Sequence, residues 1–392
     1  MNSSTISKFL KVKIAVLGLI IILAVFLMAL FAYVIAPDNS PNANDQQITI
    51  SNLPPGSKVQ FLCVKMNTKK GDNSLLKELF FGFSSEYTRI PVERYEVIGD
   101  SITIYEYGST ENAVFVSHYH IVDVVRRVDK RYKIKRSSHQ YHYTNLDGSR
   151  ETMPVLSAEE LDEAIHVESE LFLLGTDRFG RDLLSRIIIG SRVSISVGLI
   201  AVLISLLVGI ILGLVGGFFG GIIDKFIMWL INVVWSIPTL LLVIAISMVL
   251  GKGFWQIFVA VGLTMWVEVA RVVRGQVKSL KEKEFVQAAR VLGFSNSRIM
   301  FRHILPNTTG PLIVISAANF ATAILLEAGL SFLGIGVQPP TPSWGNMIRD
   351  HYGYIVVDQA YLAIVPGLAI MLLVWAFTIL GYGLRDAFDV KN

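Results

Sequence analysis

The sequence predicts a polytopic α-helical membrane protein with a β-rich domain inserted after its first membrane helix. Hydrophobic residues make up 52% of the 392 residues and charged residues only 17%, against about 25% charged in a typical soluble protein. Several uncharged runs are long enough to cross a bilayer, which takes about 20 residues. Between the first two of these runs, the composition becomes polar and strand-like over about 120 residues.

Residues 14–36 form the first predicted span. Lys8, Lys11 and Lys13 precede this uncharged run without an acidic residue, which predicts a cytoplasmic N-terminus. A cleaved signal peptide is the alternative, but the run exceeds the usual apolar region, and Pro37 follows the only plausible cleavage point. We therefore expect residues 1–37 to form a cytoplasmic tip and an anchor helix.

Residues 38–156 are expected to form an extracytoplasmic β-rich domain. Turn residues separate segments rich in β-branched and aromatic side chains. These segments are KVQFLCVKM (58–66), SITIYEY (101–107), AVFVSHYHIV (113–122) and YKIK (132–135). The domain is basic, but long translocated domains largely escape the charge rule that orients membrane proteins.

Histidine pairs in this domain raise the question of a metal site. His118 and His120 alternate along a predicted strand and face one side, and His139 and His142 follow later. Neither pair has a cysteine or carboxylate partner at ligand spacing, so the sequence favours a solvated strand face and no metal. Cys63 is the single cysteine and forms no intrachain disulfide.

Residues 157–190 are expected to form an extracytoplasmic linker with amphipathic helices in the outer membrane interface. Ser157 and Glu160 have the spacing of a capping box that begins a short helix. Thr176 or Asp177 is then expected to cap a second helix, which would lie flat before the chain enters the membrane.

Five further spans complete a predicted total of six and return the C-terminus to the cytoplasm. They cover 192–217, 224–250, 255–276, 309–335 and 359–383. Pro238 within the third span predicts a kink. Glycines near the end of the second span predict close approach between helices. These glycines are Gly213, Gly216, Gly217, Gly220 and Gly221.

A basic island from Glu284 to Pro306 interrupts this apolar half of the chain. Eight Lys and Arg residues lie between Arg271 and Arg302, against only Glu282 and Glu284, so we expect this loop to face the cytosol. Its first half has apolar residues near helical spacing, and Gly293 is positioned to end the helix. A short helix held at the membrane surface by two spans is suited to docking a cytosolic partner.

The island resembles the coupling loop of ABC importer permeases. That pattern reads Glu-Ala-Ala, three residues, Gly, nine residues, Ile-x-Leu-Pro, and this chain reads QAARVLG (287–293), nine residues, HILP (303–306). Gln287 replaces the Glu, and His303 stands at the Ile position. Three further segments narrow the resemblance to the dipeptide/oligopeptide/nickel branch. They are LGTDRFGRDLLSR (174–186), SIPTLLLVIAI (236–246) and LSFLGIGVQPPTPSWGNMI (330–348).

The resemblance covers roughly 172–390 and the first membrane helix, and it implies the type I ABC importer permease fold with six transmembrane helices. Residues 191–392 would form a five-helix core with a cytoplasmic coupling loop at 277–308. The residues implied in ATPase coupling are Glu284, Gln287, Ala288, Ala289, Arg290, Gly293, Phe294, His303, Leu305 and Pro306. The segment from about 38 to 165 has no recognised counterpart.

Polar residues within the spans are the candidates for the translocation path. Glu327 lies in an apolar run, where a carboxylate is costly enough to indicate a role, although a structural pair near the outer membrane edge is an open alternative. Ser316, Asn319 and Ser331 either line the path or bond between helices, and Pro238 joins them as a kink residue.

The function expected from the resemblance is that of a transmembrane permease subunit in an ATP-driven importer of the bacterial plasma membrane. A second homologous permease subunit, two cytosolic ABC ATPase subunits or domains, an extracytoplasmic binding protein and membrane lipid are the implied partners. Dipeptides or oligopeptides are the expected cargo. ATP and Mg would belong to the ATPase subunits, because the sequence contains no Walker A pattern and no catalytic motif. Nucleic acid is not an expected partner, since the net charge is only +4.

Two other classes of protein remain as alternatives. A secondary transporter would need ionisable residues at the membrane midplane and inverted repeats, and neither is evident in the sequence. A membrane-anchored receptor or assembly protein would work through its outer domain instead.

Overall fold

A computed structural model describes residues 3–67, 75–109, 115–251 and 253–388. It divides into two compact units, which are considered separately. The first comprises residues 1–32 and 187–392, and the second is Tyr33–Arg186. The N-terminal helices α1 (Ser3–Lys11) and α2 (Lys13–Leu30) belong to the first unit.

The second unit contains two antiparallel sheets. Its helices and strands are α3 (Ala32–Ile35), β1 (Ser57–Lys65), α4 (Leu75–Phe81), β2 (Tyr87–Ile98), β3 (Ser101–Glu106), β4 (Val116–His120), α5 (Ile121–Val125), β5 (Lys135–Arg136), β6 (Gln140–Thr144), β7 (Arg150–Pro154), α6 (Ala158–Ala164) and β8 (His166–Phe172). One sheet has the order β4-β3-β2-β1-β8, and the other has the order β5-β6-β7. Both sheets, α5 and α6 contribute to a common core that includes Leu62, Val122 and Tyr141.

The predicted strands are largely present. β1 and β3 match their predicted segments closely, and the Ser157–Glu160 capping box begins α6 as expected. The run at 113–122 gives only the five-residue β4, with 113–114 outside the described residues. The run at 132–135 contributes a single residue to the two-residue β5.

Strand β8 differs from the sequence-based expectation, which assigned its residues to a linker. It pairs antiparallel with β1 over seven residues, from Ser57 opposite Phe172 to Cys63 opposite His166. Its charged residues suit an edge strand, where charge discourages pairing with other chains.

The turn before the next helix is also different from the expected interfacial helix. Thr176 and Asp177 cap no helix. The Thr176 hydroxyl accepts from the backbone N–H of Leu53, and the Asp177 carboxylate pairs with Arg181 at 2.7 Å. Asp182 provides the cap instead, because its Oδ2 accepts from the N–H of Ser185 at 2.8 Å. One continuous helix, α7 (Leu183–Phe219), follows.

The first unit continues as a helical bundle. After α7 come α8 (Gly221–Trp235), α9 (Thr239–Leu250), α10 (Phe254–Lys281), α11 (Glu284–Val291), α12 (Asn296–Arg298), a π-helical turn at Ile299–Ile304, a 3₁₀ turn at Leu305–Thr308, α13 (Thr309–Phe332), α14 (Trp344–His351), a 3₁₀ turn at Tyr352–Val356 and α15 (Tyr361–Phe388). Five helical stretches in the described residues are long and apolar enough to cross a membrane. They are Lys13–Leu30, Leu183–Phe219, Phe254–Lys281, Asn296–Phe332 and Tyr361–Phe388.

The predicted span at 224–250 is broken rather than kinked. Helices α8 and α9 meet at an angle of 93°, and they make a sixth crossing only if the pair is one span. Pro238 precedes the first residue of α9, and proline disfavours a helical conformation in the residue before it. The helix therefore ends at the turn Ser236–Ile237, where the sequence predicted a continuous bent helix.

Close packing of α7 against α10 depends on glycines at four-residue spacing. A Cβ at Gly209, Gly213 or Gly217 would lie within 2.8 Å of an atom of α10, which is closer than real Cβ contacts. Gly213 would meet the carbonyl oxygen of Ala270 at 2.7 Å. Glycine at these positions allows the two backbones to approach, as the sequence predicted for Gly213 and Gly217.

Candidate functional site

The helix of the basic island, α11, ends at Gly293 in a defined motif. The N–H of Gly293 bonds to the carbonyl of Arg290 at 2.9 Å, and the N–H of Phe294 bonds to that of Ala289 at 3.1 Å. This pair of bonds is a Schellman motif, which requires a left-handed residue after the helix. Gly293 supplies it with φ +75°. The chain is thus turned sharply away at the position that the sequence predicted.

One face of α11 packs on the bundle itself. Val286 and Ala289 are buried in a cluster with residues from α7, α10 and the turn at 299–304. Further members of this cluster are Leu214, Phe218, Val273, Val277, Ile299, Met300 and Ile304. The resemblance implies both Ala288 and Ala289 in ATPase coupling, but the two side chains have different surroundings. Ala289 faces the interior of this chain, and only Ala288 is exposed.

The exposed part of α11 and the residue after its end carry uncovered apolar side chains. Val291 is 88% exposed and Leu292 is 71% exposed, and Phe285 is also exposed. Glu284, Gln287 and Arg290 are exposed around them. A lone exposed leucine needs no explanation, but adjacent apolar residues within a charged loop indicate a surface that another molecule covers. We call Phe285, Val291 and Leu292 the apolar face of α11.

Ring contacts join the start of the segment that follows Gly293 to residues further along it. Phe294 stacks on His303 with ring centroids 5.7 Å apart, and the Arg298 guanidinium lies 4.2 Å from the Phe294 ring centroid. Leu305 packs at the edge of the buried cluster, while Pro306 is exposed within the 3₁₀ turn that leads to α13. His303, at the position where the family pattern has Ile, thus takes an aromatic stacking role.

A charge cluster that the sequence did not identify joins α8 to α10. Asp224 is nearly buried in the first turn of α8, where it accepts from Arg274 at its Oδ1 and from Lys278 Nζ at its Oδ2, the latter at 2.7 Å. Arg274 also donates from Nη2 to Oδ2 at 2.9 Å. Two of the basic residues in the 271–302 region therefore form ion pairs within the bundle. The sequence does not reveal this cluster because Asp224 and Arg274 are 50 residues apart.

The predicted path residues of α13 lie on one face of that helix. Ser316, Asn319, Glu327 and Ser331 are separated by three, eight and four residues, which places them within one stripe at 100° per residue. Glu327 is 0% exposed and accepts from the Ser331 hydroxyl at 2.7 Å. The buried Nδ2 of Asn319 has no hydrogen-bond partner within the described residues. Pro238, the fifth candidate, lies at the start of α9.

Helix α14 packs closely on this part of α13. Ser343 caps α14 in a reciprocal capping box with Asn346. A Cβ at Gly345 would lie 2.5 Å from the carbonyl oxygen of Ala328, so glycine permits the contact. That Cβ would also lie 2.9 Å from the Cβ of Ser331, so α14 packs beside the residue that donates to Glu327.

The histidine pairs of the second unit do not converge on a metal site. The His118 Nδ1 lies 3.2 Å from the Thr103 hydroxyl, whereas the His120 Nδ1 accepts from Val122 N–H and caps α5. The structure brings together a different group. Ligand atoms of Cys63, His166 and Glu168 all lie within 4.8 Å of one another, the one such group in the residues that the structure describes.

Burial determines the protonation of the cysteine in this group. Desolvation raises the pKa of the Cys63 thiol to about 11, and the adjacent Glu168 carboxylate adds to the rise. The thiol is therefore protonated at neutral pH, unlike the activated thiol of a cysteine nucleophile. Sequence analysis missed the group because Cys63 and His166 are brought together only by the pairing of β1 with β8.

Comparison with known proteins is consistent with this geometry. The family model for the binding-protein-dependent transport system inner membrane component matches residues 181–391. A second model, for the N-terminal TM domain of oligopeptide transport permease C, matches residues 3–55. The two matched regions lie on either side of β1 to β8, so neither family model covers the sheets.

Individual relatives agree with these matches. The dipeptide transport system permease protein DppC of Alkalihalophilus pseudofirmus is 43% identical over 217 residues, which cover 55% of this chain and 71% of the relative. The glutathione transport system permease protein GsiD of Salmonella typhimurium is 45% identical over the same length, with the same coverage of both chains.

A solved structure, "Crystal structure of an amino acid ABC transporter with histidines", matches with a TM-score of 0.40 and 18% identity, covering 51% of this chain and 92% of that one. That match is too distant to support a conclusion. The family model covers more than half of the chain, and the relatives are aligned over more than two thirds of their length. The chain therefore belongs to the family of binding-protein-dependent transport system inner membrane components, the permease subunits of ABC importers.

Proposed function

We propose that this permease subunit imports dipeptides or oligopeptides across the bacterial plasma membrane. The support for this substrate class comes from its relatives, which are named for dipeptide and glutathione transport, and from the oligopeptide permease model that matches residues 3–55. The substrate would be delivered by an extracytoplasmic binding protein. A second homologous permease subunit would complete the channel.

The proposed topology has six membrane crossings, with both termini in the cytoplasm. It counts the broken pair α8–α9 as one crossing together with the five long apolar stretches. The cluster of Lys and Arg between Arg271 and Arg302 supports a cytosolic position for α11, because short basic loops remain inside. Residues 38–190 would then be extracytoplasmic.

The apolar face of α11 is the observation that carries the proposed coupling role. Residues 277–308 would dock on a cytosolic ATPase subunit, which supplies ATP and Mg, so this chain would catalyse no reaction itself. The buried side of α11 is rigidly packed through Val286 and Ala289, so a push on the exposed side moves the ends of α7 and α10. Phe285, Val291 and Leu292 supply the desolvated contacts that anchor such an interface.

The stripe of polar side chains on α13 is proposed to face the translocation path. A peptide presents backbone amides and two charged ends, which require hydrogen-bonding groups along its route. The buried Nδ2 of Asn319 has no hydrogen-bond partner in the described structure, and about two turns further along the helix the Ser331 hydroxyl bonds to one carboxylate oxygen of Glu327. A buried carboxylate in a membrane span is costly, which favours a function over a coincidence.

The coupling role is tested with the double variant Val291→Gln/Leu292→Gln. Glutamine keeps helix propensity and adds no charge at the helix C-terminus, so α11 itself should be retained. Burying a valine or leucine contributes about 1.5–3 kcal/mol, so the loss predicts that ATPase affinity falls by at least about 10-fold. The measurement is ATPase co-purification and peptide uptake at matched permease level in membranes.

A matched control is available on the second unit. Ile48 is 77% exposed, so Ile48→Gln changes a comparable apolar surface away from α11. The control should leave ATPase association unchanged. Normal ATPase association and normal uptake in the Val291/Leu292 variant would remove the coupling role from α11. If the chain were a secondary transporter or a membrane-anchored receptor, no ATPase would co-purify with either variant.

A further inference from the structure

We propose that Cys63, His166 and Glu168 form a binding site for a divalent transition metal of the zinc class, which clips β8 to β1. The site lies in the part of the chain that neither family model covers. It is independent of the proposed transport function and deals with the integrity of the second unit. Its basis is the placement of three chemically suitable side chains on one face of the sheet.

The strand register brings the three side chains together. Cys63 on β1 is directly opposite His166 on β8, so their side chains project from the same face. Glu168 is two residues further along β8 and shares that face. The resulting ligand atoms lie within 4.8 Å of one another.

The residue types select a particular class of metal. A thiolate, an imidazole and a carboxylate are each common zinc ligands, whereas Mg²⁺ and Ca²⁺ bind all-oxygen sites. On binding, the Cys63 thiol releases its proton to solvent and forms the sulfur–metal bond. One thiolate and one carboxylate then balance the charge of a divalent ion.

The surroundings also favour a metal. His166 Nε2 lies 2.7 Å from Glu168 Oε1, and the imidazole packs beside the Tyr87 ring with centroids 5.6 Å apart, so the imidazole is already oriented. Both side chains are about half exposed, which allows a metal to enter and leaves a fourth position for water. The positive charge of Arg89 lies close to Cys63 and would disfavour a metal cation. Arg89 is, however, paired with Asp45 at 2.8 Å and with Glu170 at 2.6 Å, which neutralise its charge.

The consequence is a clip across an edge of the sheet. β8 is the terminal strand of the five-stranded sheet, and β1 is its one neighbour in the strand order of that sheet. Metal bonds from Cys63 on one strand to His166 and Glu168 on the other would add a cross-link that resists separation of this pair. The metal is thus expected to raise the stability of the second unit.

The experiment uses the full-length permease in lipid nanodiscs after treatment with a chelator. Zn²⁺ is titrated against a fluorescent zinc indicator, and Co²⁺ is used as a spectroscopic probe. The site predicts one Zn²⁺ bound with Kd tighter than about 1 μM and a thiolate-to-cobalt charge-transfer band. Since Cys63 is the single cysteine, that band identifies its sulfur as the ligand.

Variants assign the remaining ligands. Cys63→Ser, His166→Asn and Glu168→Gln should each weaken Zn²⁺ binding by more than about 100-fold, beyond the 10–100-fold typical of an outer partner of a metal ligand. His142→Asn changes an exposed histidine of β6 and should leave Zn²⁺ binding unchanged. Zn²⁺ should raise the melting temperature of the parent and of His142→Asn, but not of the three ligand variants.

The unmodified chain provides a test that does not depend on the folding of a variant. At a denaturant concentration that transiently exposes the buried Cys63 thiol, Zn²⁺ should slow its alkylation, and a chelator should reverse the protection. Zinc affinity weaker than about 1 μM, a cobalt complex without a thiolate band, or alkylation that ignores Zn²⁺ would each overturn the proposal. Zinc binding that persists in all three ligand variants would assign the metal to another place and overturn it equally.

Discussion

Gly293 is the residue on which the shape of the coupling helix depends. Its φ of +75° is the left-handed conformation that disfavours side chains with a Cβ, and β-branched residues most of all. The space around it is open, because a Cβ added to this glycine would meet no heavy atom within 4 Å. Within this chain the constraint is therefore conformational rather than steric.

Replacing Gly293 with Val is expected to disturb α11 while the membrane bundle still assembles. A left-handed non-glycine residue costs about 1–2 kcal/mol, and the turn should open to relieve the strain. The measurement is ATPase co-purification and uptake at matched membrane level. Gly293→Asn, which tolerates the left-handed region, should retain most of both.

Gly275→Val is the control for glycine replacement as such. Gly275 also has open space around it, but it has ordinary helical backbone within α10. The Gly275→Val variant should therefore keep ATPase association near the parent value. Equal losses for the variants at 293 and 275 would contradict a conformational role for Gly293.

Glu327 allows the path role to be separated from a structural one. Glu327→Gln preserves an oxygen that accepts from Ser331, so the melting temperature should stay near that of the parent, whereas uptake should fall because the carboxylate is lost. Glu327→Ala also removes the acceptor and leaves a cavity, at a cost of about 2–4 kcal/mol. Melting temperature and uptake are measured on the same preparations. Parent-like uptake with Gln at this position would leave Glu327 a structural role only.

At the scale of elements, hydropathy predicts the helices well and the pairing of strands poorly. The long apolar runs anticipated α2, α7, α10, α13 and α15, because membrane helices satisfy their own backbone hydrogen bonds and need no partner to form. β8 could not be predicted in the same way, since its partner β1 lies about 100 residues earlier. The Cys63–His166–Glu168 group was missed for the same reason.

Helix termini depend on local competition that a sequence pattern cannot resolve. Thr176, Asp177 and Asp182 all have capping side chains, and only the fold decides that Asp182 caps α7. The sequence did anticipate α11 and the turn at Gly293, because both follow from local chemistry. It did not anticipate that Ala289 is buried, since the side on which α11 packs is a tertiary property.

Packing of α7 on α10 leads to a prediction at this scale. Gly213→Ala would place a Cβ 2.7 Å from the carbonyl oxygen of Ala270, so the helices must separate. Overpacking of this kind costs about 1–3 kcal/mol, and the melting temperature of the purified permease should fall. Gly275→Ala has free space around its Cβ, so the melting temperature should stay unchanged or rise because alanine has the higher helix propensity. A fall of the same size in both variants would contradict the close-packing explanation.

At the scale of the whole molecule, the segment that contains the two sheets has adjacent ends. Ser57 and Phe172 are paired residues at one end of β1 and β8, and the N–H of Gly56 bonds to the carbonyl of Phe172 at 2.9 Å. Residues 3–55 and 181–391 on either side match permease models. A cut at 37 and 157, as the sequence alone suggests, would remove β1 and leave β8 without its partner.

Excision of 57–172, with Gly56 joined to Leu173 through a short Asn-Gly turn, should therefore preserve the membrane bundle and its ATPase association. We propose that this domain helps to dock the binding protein through basic residues such as those at 126–136, so uptake should fall. The affinity for the binding protein is measured at two salt concentrations. It should weaken and lose its salt dependence. Unchanged uptake and affinity would assign the domain another role.

The central claim is that the apolar face of α11 contacts an ATPase subunit in the cytosol. The most direct measurement is photo-crosslinking from a benzoylphenylalanine at Leu292 in living cells, with the same probe at Ile48 as the control. The crosslinked partner is identified by mass spectrometry. We expect a protein with a Walker A motif at Leu292, with a yield that changes when ATP is depleted, and no such product at Ile48. Absence of an ATPase product at Leu292, or the same product at both positions, would contradict the account.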